Sequence, residues 1–217
     1  MLPPAGHGTS ASEVNRPRRR SEYGEPVTRL DAGSKAIALT LDDGPSPVYT
    51  PQILRLLARY QITATFSMIG IQAAAEPGVA RDVAQAGHLI SNHTWRHLDL
   101  GWLAPWAVFD EMDRGADAIY RATGQPPTVF RAPYGVWSPV VLRHCEQTGV
   151  IPLGWSVDPR DWSRPGVYSI TANILRNTRT GSIILEHDGG GDRSQTLAAL
   201  RIVIPRLLDA GYHFVTP

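Results

Sequence analysis

From Lys35 onward the chain predicts an α/β protein whose parallel strands close, or nearly close, into a barrel. The first observation behind this is a rhythm: a short apolar run followed by an amphipathic stretch, repeated along the chain, which marks β-α units and a mostly parallel sheet. The second is the number of repeats, roughly six or seven units in about 180 residues, a trimmed version of the roughly 250-residue eight-unit barrel. An open doubly wound sheet is the alternative. The third is an absence. Neither a G-x-G-x-x-G turn after the first strand nor a G-x-x-x-x-G-K-S/T loop occurs, which argues against a nucleotide site of the familiar kind.

Taken in order, Ala36 to Leu41 reads as the first strand. Pro51 to Tyr60 then has Ile53, Leu54, Leu56 and Leu57 apolar with Arg55 and Arg59 away from them, helical spacing with proline at the first position. Further strands are predicted at Thr63 to Met68, Leu89 to Ser91, Thr128 to Arg131, Ile151 to Val157, Ser182 to Glu186 and Tyr212 to Val215. Helices fill the gaps: Val79 to Ala86, Trp106 to Thr123, Pro139 to Thr148, Tyr168 to Arg176 and Leu197 to Ala210. The last ends before Gly211, as a helix C-terminus should, and Pro205 is expected to kink it.

Residues 1–35 differ from the rest. They hold prolines at 3, 4, 17 and 26, the basic cluster Arg16, Arg18, Arg19 and Arg20, and no apolar periodicity, and they read as a flexible tail ahead of one domain over 36–217. Arg18-Arg19-Arg20-Ser21 resembles the start of a twin-arginine export signal, but Glu22, Glu25 and Asp31 follow where an apolar stretch of about 7 to 15 residues is required. Lys plus Arg total 21 against 20 for Asp plus Glu, a net charge of +1, so no overall basic field exists to hold nucleic acid or an anionic membrane surface. No apolar run approaches the roughly 18 to 20 residues of a bilayer helix. The single cysteine, Cys145, excludes an internal disulfide and a thiolate zinc site.

Five clusters of reactive side chains fall directly after predicted strands. Thr40-Leu41-Asp42-Asp43-Gly44-Pro45 sets two adjacent carboxylates where a strand runs into a Gly-Pro turn, and the turn can swing both into one cavity. Alone, it reads equally well as a solvated turn. His93-Thr94-Trp95-Arg96-His97 follows the third strand; two histidines at i and i+4 lie on one face of a helical turn and can share a metal ion, with Asp43 adding a carboxylate. Alone, such a pair is more often one core and one exposed histidine. Arg131-Ala132-Pro133-Tyr134-Gly135, Asp158-Pro159-Arg160-Asp161-Trp162 and Leu185-Glu186-His187-Asp188-Gly189 complete the set. In parallel β-α folds the carboxyl ends of strands are where sites are built, and five coincidences at consecutive strand ends are improbable.

These five motifs, in this order over about Lys35 to Pro217, resemble the polysaccharide deacetylases of carbohydrate esterase family 4, the NodB-homology domain. The resemblance implies a distorted (β/α) barrel of six to eight parallel strands with the active site at their C-terminal ends. It also implies that Asp43, His93 and His97 ligate a divalent metal, usually zinc, with coordination positions left open. Asp42 takes the place of the general base and His187 that of the general acid. The backbone N–H of Tyr134 falls where the family builds its oxyanion hole. Arg131 matches the arginine that orients the base, and Asp161 the aspartate that tunes the acid histidine. Leu185 and Trp162 match the lining of the acetyl pocket, beside Pro133. Leu41 stands where phenylalanine is commoner, and Glu186 fills the variable position of the L-x-H motif.

The run from Gly189 to Thr196 joins His187 to the last helix, with Ser194 as a candidate cap. Of Trp95, Trp102, Trp106, Trp137, Trp155 and Trp162, the sequence assigns Trp106 and Trp155 to packing and makes Trp137 the substrate-binding candidate. The reading that follows is a deacetylase of N-acetylglucosamine units in chitin-like or peptidoglycan-like chains, acting as a monomer in the cell envelope or outside the cell. Its rivals are an O-deacetylase of acetylated xylan, an iron oxygenase built on the same two-histidine, one-carboxylate triad, and a carbohydrate-binding module on an inactive scaffold. The last predicts loss of Asp42 or of a ligand, and all are present.

Overall fold

The computed structural model describes residues 24–217. The twin-arginine-like cluster and the first 23 residues of the expected tail lie outside them.

Seven strands form one parallel sheet. They are β1 (Ala36–Gly44), β2 (Thr65–Met68), β3 (Leu89–Asn92), β4 (Val129–Phe130), β5 (Ile151–Pro152), β6 (Ile183–His187) and β7 (His213–Phe214). The order is β5-β4-β3-β2-β1-β6, with β7 paired to the start of β1. Between them run α1 (Thr50–Tyr60), α2 (Gly70–Ala75), α3 (Pro77–Gln85), α4 (Pro105–Thr123), α5 (Pro139–Thr148), α6 (Val167–Asn177) and α7 (Ser194–Asp209). Every strand and helix predicted from the rhythm is present. The addition is α2, whose six residues, Gly-Ile-Gln-Ala-Ala-Ala, are too few to show a period. α7 continues past Pro205 to Asp209.

Period-two alternation sorts the side chains. Ile37, Leu39 and Leu41 of β1, Phe66 and Met68 of β2, Ile90 of β3 and Ile184 of β6 join one apolar cluster with Ile53, Leu57, Ile119, Ile170 and Leu200 from the helices. The opposite faces hold Ala38, Val129, Leu153 and Ile183, a small separate cluster, and above it the polar residues Thr40, Asp42 and Arg131. A third cluster, including Leu100, Val108, Met112, Phe130 and Cys145, joins α4 and α5 to β4. β1 is buried along its length because β2 and β6 flank it, and that makes its carboxyl end the centre of the molecule's reactive edge.

The sheet nearly closes on itself. Past β5 the chain keeps contact with β6 through a bridge of Val157 to Ile184, with Leu185 N–H donating to the Val157 carbonyl at 2.9 Å. The predicted strand Ile151 to Val157 is therefore interrupted: Gly154 and Trp155 leave the ladder before Val157 rejoins it. Part of the expected tail also takes part. Val27 bridges to Leu153 and Arg29 to Ser182, so residues 27–29 lie across the seam between β5 and β6. Val27 N–H donates to the Pro152 carbonyl at 2.8 Å and Leu30 N–H to that of Gly181 at 2.8 Å, while Val27 and Leu30 pack on the inner cluster. Ordered backbone thus begins before Lys35, because two single bridges suffice to hold a segment that has no apolar period of its own.

Candidate active site

Asp42 pairs with Ser67 and Gly44 with Met68, so Asp43 is the residue skipped at a register shift near the end of β1, and it takes a left-handed backbone conformation, φ +70. That rotation turns consecutive carboxylates to the same side, so both approach His93 Nε2, Asp43 Oδ1 at 3.6 Å and Asp42 Oδ2 at 3.8 Å. The His97 Nε2 lies 3.2 Å from Asp43 Oδ1. The glycine after Asp188 belongs to the same construction: a Cβ on Gly189 would stand 1.9 Å from the Asp43 carbonyl oxygen, so only glycine fits where the loop after β6 leans on this turn.

The segment from His93 to His97 is not the helical turn that its spacing predicts. Thr94 and His97 are both left-handed, φ +68 and +61, and the segment is a bend that brings the two rings together edge to face at 4.8 Å. The fixing residue is Glu111 of α4, fully buried and not singled out from the sequence. Its carboxylate accepts Arg96 N–H at 2.8 Å and Arg96 Nε at 2.7 Å, and its carbonyl accepts Trp95 N–H at 2.8 Å. Gly115, one turn on, permits this: a Cβ there would fall 2.7 Å from the Thr94 carbonyl carbon.

Arg131 organises the Asp42 side. It is fully buried, gives Nη1 to Asp42 Oδ1 at 2.8 Å and to Thr40 Oγ1 at 2.6 Å, and gives Nη2 to the Gly154 carbonyl at 2.9 Å. Its own carbonyl bonds His93 Nδ1 at 2.7 Å, which leaves Nε2 of that ring facing the carboxylates. Burial raises the pKa of Asp42, but the Arg131, His93 and His187 charges and the Ser67 hydroxyl outweigh it and hold the carboxyl below its ordinary value.

His187 stands opposite Asp42 in the β1-β6 register. Its Nδ1 bonds Asp161 Oδ1 at 2.7 Å, and its backbone N–H donates to Asp161 Oδ2 at 2.9 Å, an oxygen that also accepts from Thr196 Oγ1 at 2.7 Å. Burial lowers the imidazole pKa, but the Asp161 carboxylate, with Asp42 and Asp43 further off, reverses this and raises it to about 9. Nδ1 is committed to Asp161, so Nε2 is the nitrogen left to exchange a proton.

Around these groups Tyr134 is left-handed, φ +58, and sets its ring edge-on to His97 at 4.8 Å. Pro133 and Leu185 are buried and Trp162 is half exposed under Arg160. Trp137 is half-buried and packs on the α4-α5 cluster, edge to face with Phe130. Trp155 packs as expected, against Gly135 and beside the Arg131 guanidinium. Trp106 corrects the expectation of packing, being 75% exposed because it opens α4 on the outer side of the helix. Ser194 is not the cap of α7; Asp192 accepts its N–H at 2.9 Å.

Asp43, His93 and His97 present donor atoms all within 4.8 Å of one another. A tetrahedral zinc site with bonds of about 2.0 to 2.1 Å puts neighbouring donors about 3.3 Å apart, and the separations from Asp43 Oδ1 bracket that value. Asp43 Oδ1 is also buried without a hydrogen-bond partner, the condition of an oxygen built for a cation. These residues fit a divalent metal.

A parallel α/β barrel with such a donor set at its strand ends, flanked by a carboxylate on one side and a carboxylate-paired imidazole on the other, has the form of a hydrolase. The known proteins agree. The family model described as polysaccharide deacetylase matches residues 29–152. The chain is 41% identical over 184 residues to a peptidoglycan-N-acetylglucosamine deacetylase of Bacillus cereus, covering 84% of this chain and 86% of that one. It is 40% identical over 205 residues to a chitooligosaccharide deacetylase of Sinorhizobium fredii, covering 89% and 95%. Among solved structures, a peptidoglycan N-acetylglucosamine deacetylase in complex with 4-naphthalen-1-yl-N-oxidanyl-benzamide superimposes with a TM-score of 0.84 at 32% identity, over 87% of this chain and 89% of that one. The chain belongs to the polysaccharide deacetylase family and is a deacetylase hydrolase, which removes the iron-oxygenase reading. Among the described residues no helix is long and apolar enough to cross a membrane.

Proposed function

We propose that this chain is a metal-dependent deacetylase that hydrolyses the acetamido group of N-acetylglucosamine units in peptidoglycan or chitooligosaccharide. The observation that carries the reading is the convergence of Asp43, His93 and His97 on one point between Asp42 and the Asp161-paired His187. Asp43, His93 and His97 would hold the cation, most suitably zinc given two nitrogens and one oxygen. When bound, it acts as a Lewis acid on the acetyl carbonyl and makes water a nucleophile at neutral pH.

The remaining work falls to the chain's own side chains. Asp42, kept ionised and aimed by Arg131, takes a proton from the attacking water. His187 Nε2 gives its proton to the glucosamine nitrogen as the C–N bond breaks. The water oxygen ends on acetate, the nitrogen leaves as the amine with its own hydrogen and the one from His187, and the proton taken by Asp42 passes to solvent while His187 takes one back, which resets the site. The Tyr134 backbone N–H serves the carbonyl oxygen as negative charge develops there. Leu185, Trp162 and Pro133 surround the acetyl methyl. We infer a monomer acting at the cell envelope or outside the cell, and the names of the peptidoglycan-deacetylating relatives support that location.

The test is acetate release from peptidoglycan, chitooligosaccharides and acetylated xylan in parallel, with zinc and with a chelator. Metal-dependent release from the amide substrates is expected. Release from acetylated xylan alone would make the chain an esterase, and silence from folded, zinc-loaded protein on all three would overturn the reading. Asp42→Asn and His187→Ala are each expected to lower kcat by about 10²- to 10⁴-fold without unfolding the protein.

A further inference from the structure

Glu186 occupies the variable position between two residues of the site, and among the described residues it is a fully buried carboxyl group with both oxygens unpartnered. Alternation on β6 turns it away from Leu185 and His187, to the side where Ile184 meets the helices. It is fully buried, and neither carboxyl oxygen receives a hydrogen bond from the described residues. An ionised carboxylate cannot persist there: desolvation without compensating donors costs more than neutralisation by a proton.

Its surroundings reinforce this. From the loop after β5 it faces the carboxylates of Asp161 and Asp158, and from the entry to α7 it faces Arg193. The arginine is the one cation among these, and its guanidinium is spent on the carbonyls of Gly189 and Gly190, at 2.5 and 2.9 Å. Asp161, by contrast, is held ionised by three donors from His187 and Thr196. Of two carboxyl groups in contact, one with three donors and one with none, the proton resides on the second. A protonated Glu186 has one O–H to give and Asp161 within hydrogen-bonding reach to take it. Burial first, then the Asp161 charge, pushes the Glu186 carboxyl well above its ordinary range.

We propose that Glu186 is a positioning residue, held as a neutral carboxylic acid that donates its O–H to Asp161 and so sets how strongly Asp161 grips the proton-bearing His187. The donor withdraws charge from Asp161, and His187 therefore releases its proton to the leaving nitrogen more readily than it would beside an undamped carboxylate. The relay Glu186–Asp161–His187 runs from the helix side of the sheet through to the site. The role of His187 rests on the function proposed above; the protonation of Glu186 does not.

Two measurements on the full-length, zinc-loaded protein test it. Infrared difference spectra between the wild type and Glu186→Gln at pH 7 to 8 are expected to show the carbonyl band of an un-ionised carboxyl in the wild type and its loss in the variant; finding instead the loss of ionised-carboxylate bands overturns the proposal. The pH dependence of kcat/KM gives the sign. Glu186→Leu removes the donor and is expected to move the alkaline limb up by about half a unit or more, while Glu186→Gln, whose amide N–H replaces the O–H, brings it back. A downward move in Glu186→Gln means that an anion was removed, and no move in a folded Glu186→Leu means that there is no relay; either sinks the proposal. If Glu186→Leu does not fold, the infrared result and Glu186→Gln still decide. If His187→Ala remains active, the mechanism falls while the infrared result still judges the protonation of Glu186.

Discussion

Arg131 is the residue on which both halves of the site depend. Its side chain holds Asp42 and its carbonyl fixes the tautomer of His93, so one position orients the proposed base and a proposed metal donor together. Arg131→Met keeps the carbonyl but strands Asp42 as a buried carboxylate without its ion partner, a loss of about 3 to 5 kcal/mol for such a pair. We expect a variant with a markedly lower Tm, checked by thermal denaturation. The other half of the pair has its own sign. His187 is raised in the folded protein, so the stability it gains from Asp161 is full below its unfolded value and is lost as pH rises through about 9. Asp161→Asn removes the anion that favours imidazolium, and the alkaline limb of kcat/KM is expected to fall by about one unit or more, measured on the zinc-loaded enzyme. At this scale the sequence was highly legible. Asp42, Asp43, His93, His97, Arg131, Asp161 and His187 all lie at or beyond the carboxyl ends of strands, where local sequence order is enough to mark them. Glu186 was not legible, because what makes it unusual is the absence of a partner, and that depends on burial between elements far apart in the chain.

Among the elements, α4 does more than cover the sheet. Through Glu111 it grips the backbone of Trp95 and Arg96, and that grip holds a bend with two left-handed residues in the shape that points both imidazoles at Asp43. Glu111→Ala is expected to leave α4 folded, as circular dichroism would show, and to weaken zinc binding by about 10- to 100-fold in competition with a chelating dye. Unchanged zinc affinity would mean that the bend holds its own shape. The i, i+4 spacing of the histidines predicted the right pair by the wrong geometry. A helical turn and this bend both bring residues four apart together, and the difference is decided by Glu111, Gly115 and Asn92 from outside the segment. α2 escaped notice for a simpler reason, since six residues make fewer than two turns and carry no period to read.

For the molecule as a whole, the rhythm of apolar and amphipathic stretches predicted the barrel and every one of its strands, but not how its seam is covered. Residues 27–30 carry no pattern, and their contribution comes from bridges to Leu153 and Ser182 that only the closed sheet provides. A chain beginning at residue 36 loses four backbone hydrogen bonds, two at Val27 and one each at Leu30 and Lys35, and the packing of Val27 and Leu30, relative to one beginning at residue 24. We expect a cost of about 2 kcal/mol, a Tm lower by ~4–8 °C, from calorimetry of the two chains side by side. Equal Tm values would show that the seam does not need this cover.

The same seam orders events during synthesis. The segment bearing Val27 and Arg29 is translated before any strand, yet the partners it pairs with lie beyond β5 and at the threshold of β6. It must therefore wait on the ribosome for most of the domain to be made, with the inner face of the sheet, including Thr40, Asp42 and Arg131, open to water in the meantime. His187, the proposed acid, arrives on the last long strand, at the moment the opening narrows. A nascent chain halted before β6 holds the proposed metal donors Asp43, His93 and His97 but no His187 opposite Asp42, so the proposed base and acid are brought together with the closure of the barrel.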